Sequence, residues 1–135
     1  MNGCVWLCGS GYYKHGSFEI RMGREQSGQM LGGGVITQNN QVAWDHVSLK
    51  AAFGDWHHVA LIYDGSKVHF FLDGKQEKHA ARDKGNLLKK NTPVTIGQAG
   101  TGTGGEYFTG FIDEVRIFTK ALSNKEVEAF CACKL

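Results

Sequence analysis

The side chains able to do chemistry fall into four sets: the adjacent carboxylates Asp113 and Glu114, the adjacent imidazoles His57 and His58, four cysteines near the chain ends, and aromatic rings beside polar residues. Hydrolysis of a glycosidic bond needs two carboxyl groups facing one substrate, about 5–5.5 Å apart in a retaining mechanism. Residues 110–118 read as a strand, and alternation along it sends Asp113 and Glu114 to opposite faces. No nucleophile–acid pair arises there. Asp113 instead shares its face with Phe111, Val115 and Ile117. A carboxylate among apolar neighbours needs partners, because an unpaired buried charge is costly or neutralises. Those partners are either backbone N–H groups of a neighbouring loop or a calcium ion, which takes several hard oxygens. The hydrogen-bonded role ranks first, and Asp113 as a Ca²⁺ ligand second.

His57 and His58 also face opposite ways in a strand, so they do not readily share a metal; one is read as a hydrogen-bonded, near-core histidine and the other as a surface one. Cys4 and Cys8 stand near the start, Cys131 and Cys133 near the end. Their C-x3-C and C-x-C spacings are not the common zinc knuckle. Free thiols therefore rank first, disulfides tying the two ends second, and zinc third. Tyr12, Tyr13, Trp44 and Tyr107 lie in or beside loops, with Asp45 and Glu106 as polar neighbours. Flat rings beside carboxylates suit stacking against sugars, so these six residues are the candidate ligand contacts. Trp44 alternates with Val42 and is also read as partly core.

The elements that must position these groups are short strands. Phe18, Ile20 and Met22 alternate with Glu19 and Arg21, the pattern of a half-buried strand. Residues 35–37 and 41–44 flank Asn39-Asn40, which tolerates a tight hairpin turn. Residues 56–63 form a strand, Asp64-Gly65 a turn, residues 67–72 the returning strand, and Asp73-Gly74 a second turn. Residues 94–97 make another strand after Pro93, and residues 97–110 hold six glycines and are loop. Ser123 with Glu126, and Leu122 with Val127, form a capping box and a hydrophobic staple that open one short helix.

Composition agrees. Nineteen glycines among 135 residues, with a single proline, suit many tight turns, and 41% hydrophobic residues suffice for a core. The net charge of +2 is too dispersed for nucleic acid, and the lysines of residues 84–90 read as a solvated loop. The glycine loop carries no Gly-Lys-Ser/Thr phosphate motif. No apolar run approaches the roughly 20 residues of a membrane span, and the first residues show no signal-peptide pattern.

Residues 56–65 (Trp-His-His-Val-Ala-Leu-Ile-Tyr-Asp-Gly), followed by Val68-x-Phe70-x-Leu72-Asp73-Gly74, resemble the central hairpin of laminin-G-like jelly-roll domains. Thr95-Ile96-Gly97, the glycine loop, Phe108-Thr109-Gly110-Phe111-Ile112-Asp113-Glu114-Val115-Arg116-Ile117-Phe118 and Ala121-Leu122-Ser123 resemble that family's closing signature. The resemblance implies an all-β antiparallel sandwich, a concanavalin A-like jelly roll, with one short C-terminal helix and residues 1–135 as a single domain. It also implies a non-catalytic, lectin-like module for carbohydrate, at a cell surface or outside the cell. The alternative is a structural or protein-interaction domain without a small ligand.

A glycosidase ranks third, because laminarinase-type relatives carry Glu-x-Asp-x-Glu on one strand and this chain has no Glu-x-Asp. Related domains often hold a structural calcium near the strand of Asp113. Pentraxin-like calcium binding is disfavoured, since Ile96-Gly97-Gln98 is followed by Ala99-Gly100-Thr101-Gly102-Thr103 where pentraxins place acidic and amide ligands. Relatives also supply opening strands before the position of Val5. Without them, sheet edges and apolar surface stay uncovered, so self-association into a homo-oligomer is expected. With free thiols ranked first, thiol titration of the unfolded chain is expected to count four groups with or without prior reduction. A lower count without reductant would show disulfides instead.

Overall fold

The computed structural model describes residues 5–9, 17–25, 28–39, 42–49, 55–77, 84–98 and 107–132. Its strands are β1 (Val5–Gly9), β2 (Phe18–Glu25), β3 (Gly28–Ile36), β4 (Val42–Leu49), β5 (Val59–Tyr63), β6 (Val68–Leu72), β7 (Lys75–Gln76) and β8 (Thr95–Ile96), followed by helix α1 (Asn124–Ala132). Five strands form one sheet in the order β4-β3-β2-β1-β8, and three form a second in the order β5-β6-β7. Every pairing is antiparallel. The architecture is the all-β sandwich with one C-terminal helix that the sequence pattern implies.

Strand alternation decides what meets in the middle. Phe18 and Ile20 of β2, Leu31 and Val35 of β3 and Ala43 of β4 pack against Val59, Leu61, Val68, Phe70 and Leu72 of the second sheet. The opposite face of that second sheet carries Ala60, Ile62 and Phe71, which pack with Val127 and Leu122 at the start of the helix. The molecule is thus layered as sheet, sheet, helix. Gly33 sits where the two sheets come closest. A methyl group there would lie 2.6 Å from Leu61 Cδ1, 2.7 Å from the Glu19 carbonyl oxygen and 3.2 Å from Phe70 Cε2.

The turns follow their residues. Asp64 accepts hydrogen bonds at Oδ1 from the backbone N–H groups of Ser66 and Lys67, closing the β5–β6 turn. Asp73 and Gly74 have φ of +51° and +79°, the two positive values of a type I′ hairpin turn, and they join β6 to β7. Ser123 caps α1: its N–H and Oγ both donate to Glu126 Oε2, and the Glu126 N–H donates back to Ser123 Oγ.

One expected strand is absent. Residues 110–118 adopt no strand, and they expose Phe111, Val115, Ile117 and Phe118. Alternation alone does not make a strand, which needs a neighbour to satisfy its backbone groups. Glu114 also has φ of +53°, which breaks the extended run at its centre. The segment is held instead by side chains: Arg116 lies over the Phe130 ring, 5.1 Å from its centroid, and Phe118 meets the same ring at 5.3 Å.

Gly33→Ala is expected to lower stability by about 1–3 kcal/mol in urea unfolding, because a backbone oxygen cannot yield as a side chain can. Ser123→Ala is expected to cost about 1 kcal/mol by the same measurement. The Glu126 carboxyl is lowered from 4.5 to about 2, first by the Lys120 hydrogen bond and then by those of Ser123. A depressed carboxylate stabilises the fold above its unfolded value and ceases to as it protonates. Helix stability followed by circular dichroism should therefore decline as pH falls from 4.5 toward 2, and Glu126→Gln should flatten that decline.

A candidate binding face on the five-stranded sheet

The face of the five-stranded sheet turned away from the sandwich core is set by register. Phe18 and Ile20 face the core, so Glu19 and Arg21 occupy the outer face of β2. Their ladder partners on β3 are Gly34 and Gly32. Those glycines pair in turn with Trp44 and His46 on β4. On the other side, Arg21 pairs with Trp6 of β1. Two glycines thus interrupt a row of otherwise polar and aromatic positions, and glycine inside a strand permits close approach from above. Arg21 Nε lies 3.8 Å from Glu19 Oε1, with the two side chains 14% and 7% exposed. A charge pair so removed from water interacts more strongly than one at the surface.

The sequence-derived ligand contacts separate. Trp44 stands opposite Gly34 and Asp45 opposite Gly33. Gly33 faces Leu61 and Phe70 in the core, so Trp44 and Asp45 belong to opposite faces of the sheet. Ala43, the residue before Trp44, packs between the sheets. Tyr107 is exposed and bridges to Gln98 through its backbone. Tyr12, Tyr13 and Glu106 lie outside the described residues.

Asp113 does not occupy the inward position that alternation implies. It is exposed, and its Oδ1 accepts the Glu114 N–H at 2.7 Å. Without a strand over residues 110–118 there is no inner face for it to join. Among the described residues, no group of three or more His, Cys, Asp or Glu side chains is placed to hold a metal ion. Cys131 is a free thiol against the turn at Gly74, Cys8 stands in β1 opposite Ile20 and Ile96, and Cys4 and Cys133 lie outside the described residues.

The two histidines converge on one carboxylate rather than on a metal. His57 Nδ1 donates to Asp73 Oδ2 at 2.9 Å, and the His58 backbone N–H donates to Asp73 Oδ1 at 3.0 Å. Burial holds the His58 imidazole below its ordinary pKa; Asp73 opposes this shift and Arg116 adds to it. A second network runs from Gln76 Nε2 to His69 Nδ1 and from His69 Nε2 to Asp64 Oδ2. The His69 hydrogen bond is the largest cause holding Asp64 well below the usual carboxylate range. Both networks brace turns.

Alternation along β2 marks Glu19 and Arg21 only as the polar half of a half-buried strand. The signal that marks their position is Gly32-Gly33-Gly34, three glycines inside a strand. One solved structure with this fold is an S-layer domain-containing protein from Clostridium thermocellum. It is 19% identical with a TM-score of 0.51, over 86% of this chain and 57% of that one. The present chain therefore spans somewhat over half the length of that neighbour. Residues 7–128 match the family model of the concanavalin A-like lectin/glucanases superfamily. With most of its length so matched, from β1 into the C-terminal helix, the chain belongs to that superfamily.

Proposed function

We propose that this chain is a non-catalytic carbohydrate-binding module that takes a glycan on the outer face of its five-stranded sheet. The observation that carries the reading is the Glu19–Arg21 pair beside Gly32 and Gly34, with Trp44 at the facing register position. Glycine in a strand permits close approach to the backbone, indoles stack on sugar rings, and carboxylate–guanidinium pairs are groups to which sugar hydroxyls hydrogen-bond. The same pair argues against hydrolysis. A strand-borne second carboxylate would sit two residues from Glu19 on the same face, and that position holds a guanidinium. Membership of a lectin and glucanase superfamily supports binding in general and leaves the sugar open. The S-layer name of the structural neighbour suits a module working at a cell surface.

A protein-interaction role is the second reading, favoured by the exposure of Trp56 and Phe111, whose rings meet at 6.4 Å. A structural calcium at Asp113 is a separate proposal, supported by the family resemblance. A glycan array run with and without added Ca²⁺ tests these readings together. Binding by the native chain is expected, and Trp44→Ala should weaken it at least about tenfold without loss of the β-sheet circular dichroism signal. Absence of any bound glycan in both conditions would overturn the carbohydrate reading. Binding that requires the added ion and is lost in Asp113→Asn would support calcium there.

A further inference from the structure

Among the described residues, six exposed apolar side chains fall on three adjoining segments. Phe111 is 86% exposed, Trp56 67%, Tyr107 63% and Ile117 60%, with Ile96 and Val115 also exposed. The segments adjoin: Trp56 meets Phe111, the Phe108 N–H donates to the Gly97 carbonyl, and Ile112 lies beside Gly97. From ordinary side-chain areas, these six residues offer on the order of 700 Å² of apolar surface. The largest such patch on a monomer is typically about 300–600 Å². A stable interface buries about 800 Å² on each partner, so the patch has the size of one half of an interface.

Charge placement selects the occupant. Within the patch, Glu114 and Arg116 flank Val115 and pair with each other inside one chain. A second copy related by a two-fold axis through Val115 sets Glu114 of each chain opposite Arg116 of the other. Such self-complementarity is what an isologous interface requires. The positive φ of Glu114 prevents a continuous β ladder through this point, so the contact is made by side chains. We infer that the face formed by Trp56, Ile96, Tyr107 and residues 111–117 is the interface between two copies of this chain.

The test is the mass of the full chain in solution. Light scattering after size exclusion at about 100 μM, well above a micromolar Kd, is expected to give a dimer. Phe111→Asp should raise the dissociation constant at least about tenfold while the circular dichroism spectrum is unchanged. Glu114→Arg and Arg116→Glu should each be monomeric alone, and an equimolar mixture of the two should recover dimers. Each of those chains lacks its internal ion pair, so recovery on mixing reports pairing between chains. A monomeric native chain, a dimer that survives Phe111→Asp, or a mixture that stays monomeric would each overturn the inference. A monomer that instead binds a synthetic peptide of alternating apolar residues would assign the face to an added strand from another protein.

Discussion

The absence of a side chain at Gly33 is the constraint on which the sandwich depends. It lets Leu61 and Phe70 descend onto β3, so the second sheet seats directly on the backbone of the first. From that contact the inner faces of both sheets close around Leu31, Val35, Val68 and Phe70, all almost wholly removed from water. Packing at such density tolerates little added volume. The second sheet, so seated, turns Ile62 and Phe71 outward, and only because they face outward is there a surface for Val127 and Leu122 to cover. The capped helix is therefore the third consequence of a missing methyl group, after the sheet contact and the core.

The outer face of the five-stranded sheet inherits its character from the same glycine-rich strand. Gly32 and Gly34 alternate with Gly33, so the strand that permits close packing on one side places two further glycines, both buried, on the other. Glu19 and Arg21 stand beside those glycines because β2 must turn Phe18 and Ile20 inward. Architecture and candidate function are two faces of one strand. The superfamily contains both lectins and glucanases by its description, and the residue two places from Glu19 bears on which kind of chemistry this sheet can support.

Local chemistry was the part of the fold legible from residues alone. The Asp-Gly turns and the Ser123–Glu126 box involve partners a few positions apart, and each formed as its residues imply. Properties that depend on distant partners were not legible. Residues 110–118 have strand-like alternation, yet a strand is a relation between two segments, and no alternation supplies the second. Asp113 was assigned an inner face that never formed. Trp44 and Asp45 are neighbours in sequence, and the pleat places them at positions on opposite faces of the sheet. The burial of Glu19 depends on its register with Gly34, which cannot be read from β2 itself.

The ladder between β1 and β8 joins Cys8 to Ile96, and its consequence lies in the order of assembly. Strands β1 to β4 pair with their immediate successors, as do β5 to β7. These two meanders require only short loops to close and can form early. The β1–β8 contact, and the contact of α1 with β7 through Asn124 and Gln76, 48 positions apart, join segments distant in sequence. Long closures pay more chain entropy before any contact rewards them, which slows folding more than it weakens the final state. Until the two-residue strand β8 arrives, β1 remains an open edge beside the rest of its sheet. β8 thus covers part of an edge of the kind that invites pairing with another chain.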